Sequence, residues 1–325
     1  MKLAILGSGM IVHDFLSMVQ QLPAIELKAI VGTERSREKL TQLQQSHHIE
    51  KSFTDFDTCL SESDIDTVYV ALPNHLHYEY AKKALAHKKN VICEKPFTLT
   101  VEQFMELKEI ALANKLVLVE AITNQYLANY REIKAGLAEL GDIKIIECNY
   151  SQYSSRYDAF KEGTILPAFN PRMGGGALMD INIYNIHFVV GLLGKPQKVE
   201  YVANVERGID TSGIVVMSYP ETKVVCIGAK DSTSAIRSTI QGNEGAIVVN
   251  GATNVLDSIE KQLNGEGTQA IDVKVHSHRM FEEFKEFERI IDERDMAMVE
   301  DRLTHSQLVM EVIEQALDHA GISLG

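Results

Sequence analysis

The chain has 325 residues, which at about 150 residues per domain predicts two domains, each long enough to bury a core. It carries 32 Lys and Arg against 45 Asp and Glu, a formal net charge of −13. Because no long basic run is present, a nucleic-acid partner is disfavoured. The hydrophobic fraction of 45% and the charged fraction of 24% also exclude bulk disorder.

The cysteines and the apolar runs indicate the compartment. The cysteines form no C-x-x-C pair, which argues against a disulfide framework or a zinc ribbon and favours a reducing compartment. The apolar start Leu3–Leu6 is too short for a signal peptide, and no uninterrupted apolar run approaches the ~20 residues of a membrane helix. We therefore expect a cytoplasmic protein without a membrane partner. The four cysteines are Cys59, Cys93, Cys148 and Cys226.

Residues 1 to about 122 alternate short apolar runs with segments of helical periodicity. Phe15, Met18, Val19 and Leu22 form one apolar helical stripe, and Thr100 with Gln103 predicts a capping box. This alternation is typical of a doubly wound parallel sheet covered on both faces. The predicted strands are Leu3–Leu6, Leu27–Val31, Val68–Leu72, Asn90–Cys93 and Leu116–Val119.

After residue 123 the strands follow one another closely, which indicates antiparallel pairing. A helical stripe returns at the end and stops near Gly321. We therefore predict an α/β domain over 1–122 and an α+β domain over 123–325, with the ligand in the cleft between them. The predicted strands of the second domain are Ile143–Tyr150, Val199–Val205, Ile214–Tyr219, Lys223–Ala229, Ile236–Gln241, Ala246–Asn250 and Ile271–Val275.

A glycine-rich turn follows the first predicted strand and opens the first helix. Its sequence is Gly7-Ser8-Gly9-Met10-Ile11, with Val12 where a G-x-G-x-x-G motif has its third glycine. Such a turn brings backbone N–H groups to a pyrophosphate. The alternative interpretation is an ordinary strand–helix turn. In such motifs the acid that binds the ribose hydroxyls lies about 20 residues further on. Here Glu34, directly after the second strand, has that position. We therefore predict a nicotinamide dinucleotide.

The residues around Glu34 bear on the choice between the two nicotinamide cofactors. The carboxylate would repel the 2′-phosphate of NADP, whereas Thr33, Arg35 and Ser36 could bind it. This pattern favours NAD, with NADP as the alternative. Arg35 and Arg37 can also be read as a solvated helix start.

Three further stretches stand where strands of a doubly wound sheet end, which is where ligands bind. They are Pro73-Asn74-His75-Leu76-His77, Glu94-Lys95-Pro96 and Gly174–Tyr184. With these motifs the chain resembles, over nearly its whole length, the glucose-fructose oxidoreductase, inositol dehydrogenase and MocA family (Gfo/Idh/MocA). The resemblance implies an N-terminal Rossmann domain and a second domain with a large open, mostly antiparallel sheet.

The resemblance also implies roles for individual residues. Lys95 would be catalytic, Asp180 would be the aspartate of the glycine-rich stretch, Tyr184 would transfer the proton, and His77 would line the nicotinamide pocket. Two departures from the family pattern stand out, and the second of them bears on the substrate class. Asn182 replaces a glycine, and Asn124-Gln125 replaces a frequent Tyr-Arg pair.

Hydride transfer at a carbinol carbon needs a proton acceptor and a positive group beside the developing alkoxide. Tyrosine has a pKa of ~10, so it needs a nearby ammonium to act as a base at neutral pH. We predict that Lys95 and Tyr184 form the acid/base pair. Asp180, four residues before Tyr184, would orient the tyrosine or contact a sugar hydroxyl if the stretch is helical.

Each of these residues also has a structural interpretation. Lys95 could be a turn lysine, and Tyr184 a buried tyrosine beside a capping acid. His187 is either a core histidine or a residue at the edge of the site, and the sequence favours the second interpretation. Arg156 and Arg172 could hold a polyol or an acidic sugar, or carry surface charge. The histidine pairs lack the partners of a metal site, so we predict no metal; they are His47-His48 and His276-x-His278.

The predicted function is an NAD(P)-dependent oxidoreductase that acts on the CH–OH group of a sugar, polyol or cyclic diol. The alternatives are a dinucleotide-sensing regulator on the same fold and a glycosidase with tightly bound NAD. An open sheet leaves one face that needs cover. We therefore expect a homodimer or homotetramer formed through that sheet.

Overall fold

The computed structural model describes residues 1–325, which divide into two units. Unit 1 is Met1–Ala121 with Glu283–Ser306, and unit 2 is Ile122–Glu282 with Gln307–Gly325. All of 123–325 was predicted to form the second domain. Glu283–Ser306 belong instead to unit 1, because the ring of Phe284 packs with its centroid 4.4 Å from that of Phe15 and 5.1 Å from that of Tyr69.

Unit 1 contains a six-stranded parallel sheet. Its strands are β1 (Lys2–Leu6), β2 (Glu26–Val31), β3 (Lys51–Phe53), β4 (Thr67–Val70), β5 (Asn90–Glu94) and β6 (Leu118–Ala121). Their order across the sheet is β3-β2-β1-β4-β5-β6, the Rossmann order, so the predicted doubly wound fold is confirmed. The connecting helices are α1 (Met10–Met18), α2 (Arg37–Ser46), α3 (Phe56–Glu62), α4 (His77–Ala86) and α5 (Val101–Ala113).

The predicted start of α5 is confirmed in part. The Thr100 hydroxyl accepts a hydrogen bond from the Gln103 backbone N–H at 3.2 Å. The Gln103 side-chain oxygen accepts from the Leu99 N–H rather than from that of Thr100. The cap therefore satisfies backbone donors on both sides of the helix start.

Unit 2 is built on an eight-stranded sheet. Its strands are β7 (Ile143–Ser151), β8 (Lys198–Glu206), β9 (Ile209–Ser218), β10 (Lys223–Ala229), β11 (Arg237–Gly242), β12 (Gly245–Asn250), β13 (Ser258–Leu263) and β14 (Gln269–Ile271). Their order is β14-β13-β12-β11-β7-β10-β9-β8. The pair β7 and β10 is parallel and the other pairs are antiparallel, which confirms a mostly antiparallel sheet.

The predicted strand Ile271–Val275 is wrong in its position. The strand β14 ends at Ile271, and side chains then satisfy the backbone of the next residues. The Asn129 side-chain oxygen accepts from the Val273 N–H at 2.8 Å, and the Asp272 carboxylate accepts from the Lys274 N–H at 3.2 Å. These bonds from the backbone to side chains take the place of a strand ladder.

The helices of unit 2 include α6 (Ala128–Gly136), α7 (Tyr157–Lys161) and α8 (Ile183–Leu193). The stretch Pro171–Leu193 is long and apolar enough to cross a membrane, by length and composition only. However, 78% of its most apolar 18-residue segment is buried inside the fold. This burial is typical of a core helix. The stretch includes a π-helical turn, Leu178–Asn182, immediately before α8.

Two helices complete the chain, α9 (Met280–Glu293) and α10 (Met296–Ala320). Gly321 follows α10 with a φ of 65°, so the predicted glycine stop is confirmed. Short 3₁₀ turns occur at Val19–Gln21, Glu34–Ser36, Asn74–Leu76, Thr123–Gln125, Leu137–Leu140, Pro167–Phe169 and Pro171–Met173.

Candidate active site

The predicted cofactor residues of unit 1 lie at one edge of its sheet. Gly7 to Ile11 follow β1, Glu34 and Arg35 follow β2, Pro73 and Asn74 follow β4, and Lys95 follows Glu94 at the end of β5. The four strands β2, β1, β4 and β5 are consecutive neighbours. Their carboxyl ends therefore bring these residues to the edge where doubly wound sheets bind ligands.

The glycine turn after β1 has the geometry of an anion site. Gly7 has a φ of 115°, and a Cβ there would lie 2.3 Å from the Ala71 carbonyl oxygen, so only glycine fits. A Cβ at Gly9 would meet no atom within 4 Å. The helix α1 begins at Met10 with neither a side-chain cap nor an acid in its first turn. Open space and uncapped backbone N–H groups suit a pyrophosphate.

The acid expected to bind ribose is engaged within its own turn. Arg37 donates three hydrogen bonds to the Glu34 carboxylate, one from Nε at 3.1 Å and two from Nη2, which lies 2.7 Å from both carboxylate oxygens. The Thr54 hydroxyl donates to Glu34 as well. These bonds lower the pKa of Glu34, with the bond from Arg37 as the largest cause. The negative charge that favoured NAD is thus balanced locally.

A basic groove of about 620 Å³ lies between α1 and α2 in unit 1. Arg35 and Lys39 line it, and the Lys39 ammonium donates to the Ser8 carbonyl of the glycine turn. The pKa of His47 is lowered, first by burial and then by His13 and His48. The groove thus concentrates basic groups next to the glycine turn. Its lining residues are His13, Arg35, Glu38, Lys39, Gln42, Leu43, Ser46 and His47.

The turn that carries Lys95 is held from two sides. The Pro96 carbonyl lies 2.8 Å from Nδ1 of His77. The Phe97 N–H donates to Oε1 of Glu120 at 3.2 Å, and the Ser306 hydroxyl donates to Oε2 of the same carboxylate at 2.6 Å. Lys95 itself is half-buried, while the residues that follow it are buried. The backbone around Lys95 is therefore fixed.

His77 was predicted to line the nicotinamide pocket, and the structure gives it another place. Its side chain is fully buried, and its Nε2 lies 2.8 Å from the Leu72 carbonyl. Burial lowers the pKa of His77, and the two flanking carbonyls oppose that shift. The ring therefore links the loops after β4 and β5 instead of facing a ligand. Glu94 is likewise buried, where it accepts a hydrogen bond from the Tyr69 hydroxyl.

In unit 2 the glycine run leads into the π-helical turn before α8. Gly176 has a φ of 109°, and a Cβ there would lie 2.1 Å from Oδ1 of Asp210. The other oxygen of Asp210 accepts from the Leu178 N–H and from the Tyr201 hydroxyl, both at 2.6 Å. Burial raises the pKa of Asp210. A buried carboxylate thus fixes the start of the segment that carries Asp180 and Tyr184.

Asp180 and Tyr184 differ in exposure. The Asp180 side chain is 37% exposed, and its Oδ2 lies 2.7 Å from the ammonium of Lys230. Tyr184 stands in the first turn of α8, is 7% exposed, and packs 6.2 Å from the Tyr150 ring. Because the π-helical turn includes Asp180 but not Tyr184, the two do not share a regular α-helical face. The prediction that they share a helical face therefore holds only in part.

The two departures from the family pattern are buried and hydrogen-bonded. Asn124 donates to the Tyr184 carbonyl at 2.9 Å, and Gln125 donates to the His187 carbonyl at 3.0 Å. Asn182 donates to the Cys226 carbonyl at 3.0 Å. These side chains therefore hold the backbone of the Tyr184 segment.

The remaining predicted substrate residues are dispersed in unit 2. His187 is fully buried, which favours the core interpretation over a place at the edge of the site. Arg156 is half-buried at the start of α7, and Arg172 is exposed in a 3₁₀ turn. The Tyr157 hydroxyl donates to Glu206, and this bond is the main cause that raises the pKa of Tyr157 to about 12.

Sequence reasoning missed three residues that hold the predicted site segments within each unit, Glu120 in unit 1 and Asp210 and Lys230 in unit 2. Each is buried and charged, and each contacts a predicted site segment. The signal that could have found them is a charged residue directly inside or beside an apolar strand run, since such a residue needs a partner. No group of three or more His, Cys, Asp or Glu side chains is arranged to bind a metal ion.

Family models match both parts of the chain. Residues 1–121 match an oxidoreductase family with an NAD-binding Rossmann fold, and residues 130–248 match the GFO/IDH/MocA C-terminal domain. The chain is 33% identical to scyllo-inositol 2-dehydrogenase (NADP(+)) IolU of Bacillus subtilis, over 99% of this chain and 97% of the relative. It is 28% identical to trans-1,2-dihydrobenzene-1,2-diol dehydrogenase of Xenopus tropicalis, over 76% and 74%.

A solved structure supports the same fold. The crystal structure of KijD10, a 3-ketoreductase from Actinomadura kijaniata in complex with NADP and TDP-benzene, superposes with a TM-score of 0.83 at 20% identity. The match covers 97% of this chain and 98% of that chain. Together with the full-length relative, these findings confirm the resemblance stated from the sequence. The chain belongs to the Gfo/Idh/MocA family of NAD(P)-binding oxidoreductases.

Proposed function

We propose that this protein is an NADP-dependent dehydrogenase acting on the CH–OH group of a sugar, polyol or cyclic diol, with a cyclic polyol of the inositol type as the first choice. The observation that carries this proposal is the match to an NADP-dependent scyllo-inositol 2-dehydrogenase along nearly the whole length of both chains. The proposed site residues support it, because Lys95, Asp180 and Tyr184 supply the charge and the proton transfer that such a reaction requires.

The sequence favoured NAD, and the comparisons do not confirm that preference. Three features support NADP. Arg37 already balances the Glu34 carboxylate, Arg35 and Lys39 line the groove beside the glycine turn, and the curated relative matched over almost its whole length uses NADP(+). Guanidinium and ammonium groups bind phosphate oxygens strongly. We therefore assign the 2′-phosphate to Arg35 and Lys39, and the pyrophosphate to the turn Gly7–Ile11.

The proposed chemistry divides between two side chains. A nicotinamide cofactor held by the turn Gly7–Ile11 would supply the acceptor for the hydride that leaves the carbinol carbon. Tyr184 takes the hydroxyl proton as that hydride leaves, and in the reverse direction it returns the proton to the carbonyl oxygen. The Lys95 ammonium stabilises negative charge on the substrate oxygen and on the phenolate of Tyr184. The exposed part of Asp180 accepts a hydrogen bond from a neighbouring hydroxyl of the substrate, and Arg156 and Arg172 contact the more distant hydroxyls.

We also propose that the enzyme is a homodimer or homotetramer formed through the sheet of unit 2. One face of this sheet is buried, while Val202 is 66% exposed on the other face. Val202 pairs with Ile214, and Ile214 pairs with Ile227, so the three residues lie side by side on that face. An apolar row of this kind is typical of an interface. Light scattering after size exclusion should give at least twice the mass of 36.3 kDa, whereas a monomer would refute the proposal.

The activity is tested by absorbance at 340 nm with inositols, sugars and diols, each with NADP and with NAD. We expect turnover of a cyclic polyol with NADP. Lys95→Ala should abolish turnover and still bind NADPH, as measured by cofactor fluorescence. The exposed Lys285 on α9 provides the control Lys285→Ala, which should keep full activity.

The outcomes separate this proposal from its rivals. Retained activity in Lys95→Ala would refute the role of Lys95. Tight dinucleotide binding without turnover of any substrate would favour a regulatory sensor. Cleavage of a glycoside without net change in absorbance would favour a glycosidase.

A further inference from the structure

Lys230 is a buried lysine at the end of β10, and its ammonium is held on several sides. Nζ lies 2.7 Å from Oδ2 of Asp180 and donates to the Ala168 carbonyl at 2.6 Å. The same ammonium lies 4.3 Å from the centroid of the Phe169 ring. The side chain is only 2% exposed. Its backbone is also fixed, because the Lys230 N–H donates to the Thr211 carbonyl and the Lys230 carbonyl accepts from the Ser154 N–H.

A buried lysine is unfavourable for folding unless its charge is paired and hydrogen-bonded. Here the ion pair joins an ammonium that is almost wholly withdrawn from solvent to a carboxylate that remains 37% exposed. One end of the pair is thus fixed in the core, and the other end reaches solvent. Screening by water is weaker for such a pair than for an exposed one.

We propose that Lys230 is a positioning residue that orients the Asp180 carboxylate, so that the exposed part of Asp180 accepts a hydrogen bond from a substrate hydroxyl next to the reacting carbon. This inference rests on the proposed function, because it assigns Lys230 to the same reaction. Lys230 touches neither the substrate nor the cofactor in this role. It acts through Asp180.

Other charged groups surround this pair and must be considered in any titration. Asp210 lies on β9, and the Lys230 charge partly offsets the rise in the pKa of Asp210 caused by burial. Asp231 follows Lys230, and hydrogen bonds from Ser212 and Thr211 lower the pKa of Asp231. Asp210 accepts hydrogen bonds from the Leu178 N–H and the Tyr201 hydroxyl, and Asp231 accepts from the Thr211 and Ser212 hydroxyls, so each of these carboxylates is held by donors other than Lys230.

The test uses the full-length protein and the variants Lys230→Met, Lys230→Gln and Asp180→Asn. A cation close to a carboxylate lowers the pKa of that carboxylate by about 1–3 pH units. Removal of the charge should therefore raise the Asp180 titration midpoint, measured by carboxyl ¹³C NMR, by a similar amount. Lys230→Gln keeps hydrogen-bond donors at this place, so it provides the measurement if Lys230→Met does not fold.

The kinetic readout follows the same logic. With a polyol and NADP, kcat/KM at neutral pH should fall by about 10- to 100-fold, as expected for a misplaced contact group, and the acid limb of the pH profile should move upward. The dissociation constant for NADPH should not change. In an Asp180→Asn background, Lys230→Gln should cause no further loss, because its effect passes through Asp180.

Lys198 is exposed and pairs with Glu200 on the same sheet, so Lys198→Met is the matched control and should change none of these values. An unchanged Asp180 midpoint in an active enzyme, or additive losses in the double variant, would overturn the role of Lys230 alone. A wild-type protein that turns over no polyol would overturn the proposed function, and the substrate contact would fall with it. The NMR midpoint distinguishes these two failures.

Discussion

The Asn182 side chain packs directly against the backbone of Gly228, and this contact can be tested by a double-mutant cycle. A Cβ at Gly228 would lie 2.5 Å from Cβ and 2.8 Å from Cγ of Asn182. The backbone of Gly228 is not in the left-handed region, so alanine is excluded there only by space. Overpacking of a core by one methyl group costs about 1–3 kcal/mol. Gly228→Ala should therefore lower the free energy of unfolding by that amount.

The partner variant Asn182→Gly loses two side-chain hydrogen bonds, one to the Cys226 carbonyl and one from Asn185. At about 1 kcal/mol each, with about 1 kcal/mol more for glycine in a helix, this variant should lose about 3 kcal/mol. In the double variant the added methyl group fills the vacated space. The combined loss should therefore be about that of Asn182→Gly alone, with a coupling free energy of about 1–3 kcal/mol.

The assay is urea unfolding followed by far-UV circular dichroism, since the chain contains no tryptophan. Gly267→Ala serves as the control, because a Cβ there meets no atom within 4 Å. It should change the free energy of unfolding by less than about 1 kcal/mol, and it measures the general effect of replacing glycine with alanine. A double variant whose loss equals the sum of the two single losses would refute the contact.

Three further predictions concern buried polar groups and thiols. His77→Leu leaves the Leu72 and Pro96 carbonyls without their imidazole partner. The free energy of unfolding should therefore fall by about 2–4 kcal/mol in urea titrations. An equal change in the exposed control His87→Leu would contradict this. Burial lowers the pKa of His77 from 6.5. The contribution of His77 to stability is therefore full above about pH 6.5 and is lost as the pH falls. This part of the pH dependence should be absent in His77→Leu, and a loss of stability on raising the pH would refute it. Burial raises the pKa of Cys93 and of Cys226 well above 9.0. A thiol reagent whose reaction is followed by absorbance should therefore label neither cysteine at neutral pH until denaturant is added. Rapid labelling of the native protein would contradict their burial.

The strands that could be predicted from the sequence are those whose residues repeat a simple pattern. The run Val68 to Val70 is apolar throughout and is buried, so its composition alone indicates a central strand. The strand β3 was missed because it has only three residues, Lys51–Phe53, with a single apolar side chain. The strand β13, Ser258–Leu263, was missed because four of its six residues are polar.

The site could be predicted where its residues are close in sequence and not where they are distant. The glycine turn and the Glu94-Lys95-Pro96 motif are local, so their place at the sheet edge follows from the strands before them. Lys230 is 50 residues from Asp180, and no periodicity relates the two. The preference for NAD rested on the Glu34 charge alone, because a list of charges does not show that Arg37 binds Glu34.

The turn after β2 has a consequence for how this enzyme can change. Glu34 and Arg37 are 69% and 64% exposed, and their bonds stay within the turn or reach only Thr54. Substitutions there do not disturb the hydrophobic core, whereas those around Tyr184 do. Mutational drift and laboratory selection can therefore exchange one nicotinamide cofactor for the other at little loss of foldability, while the proton-transfer segment stays constrained. Within a lineage of such enzymes, coenzyme choice should evolve faster than the type of reaction.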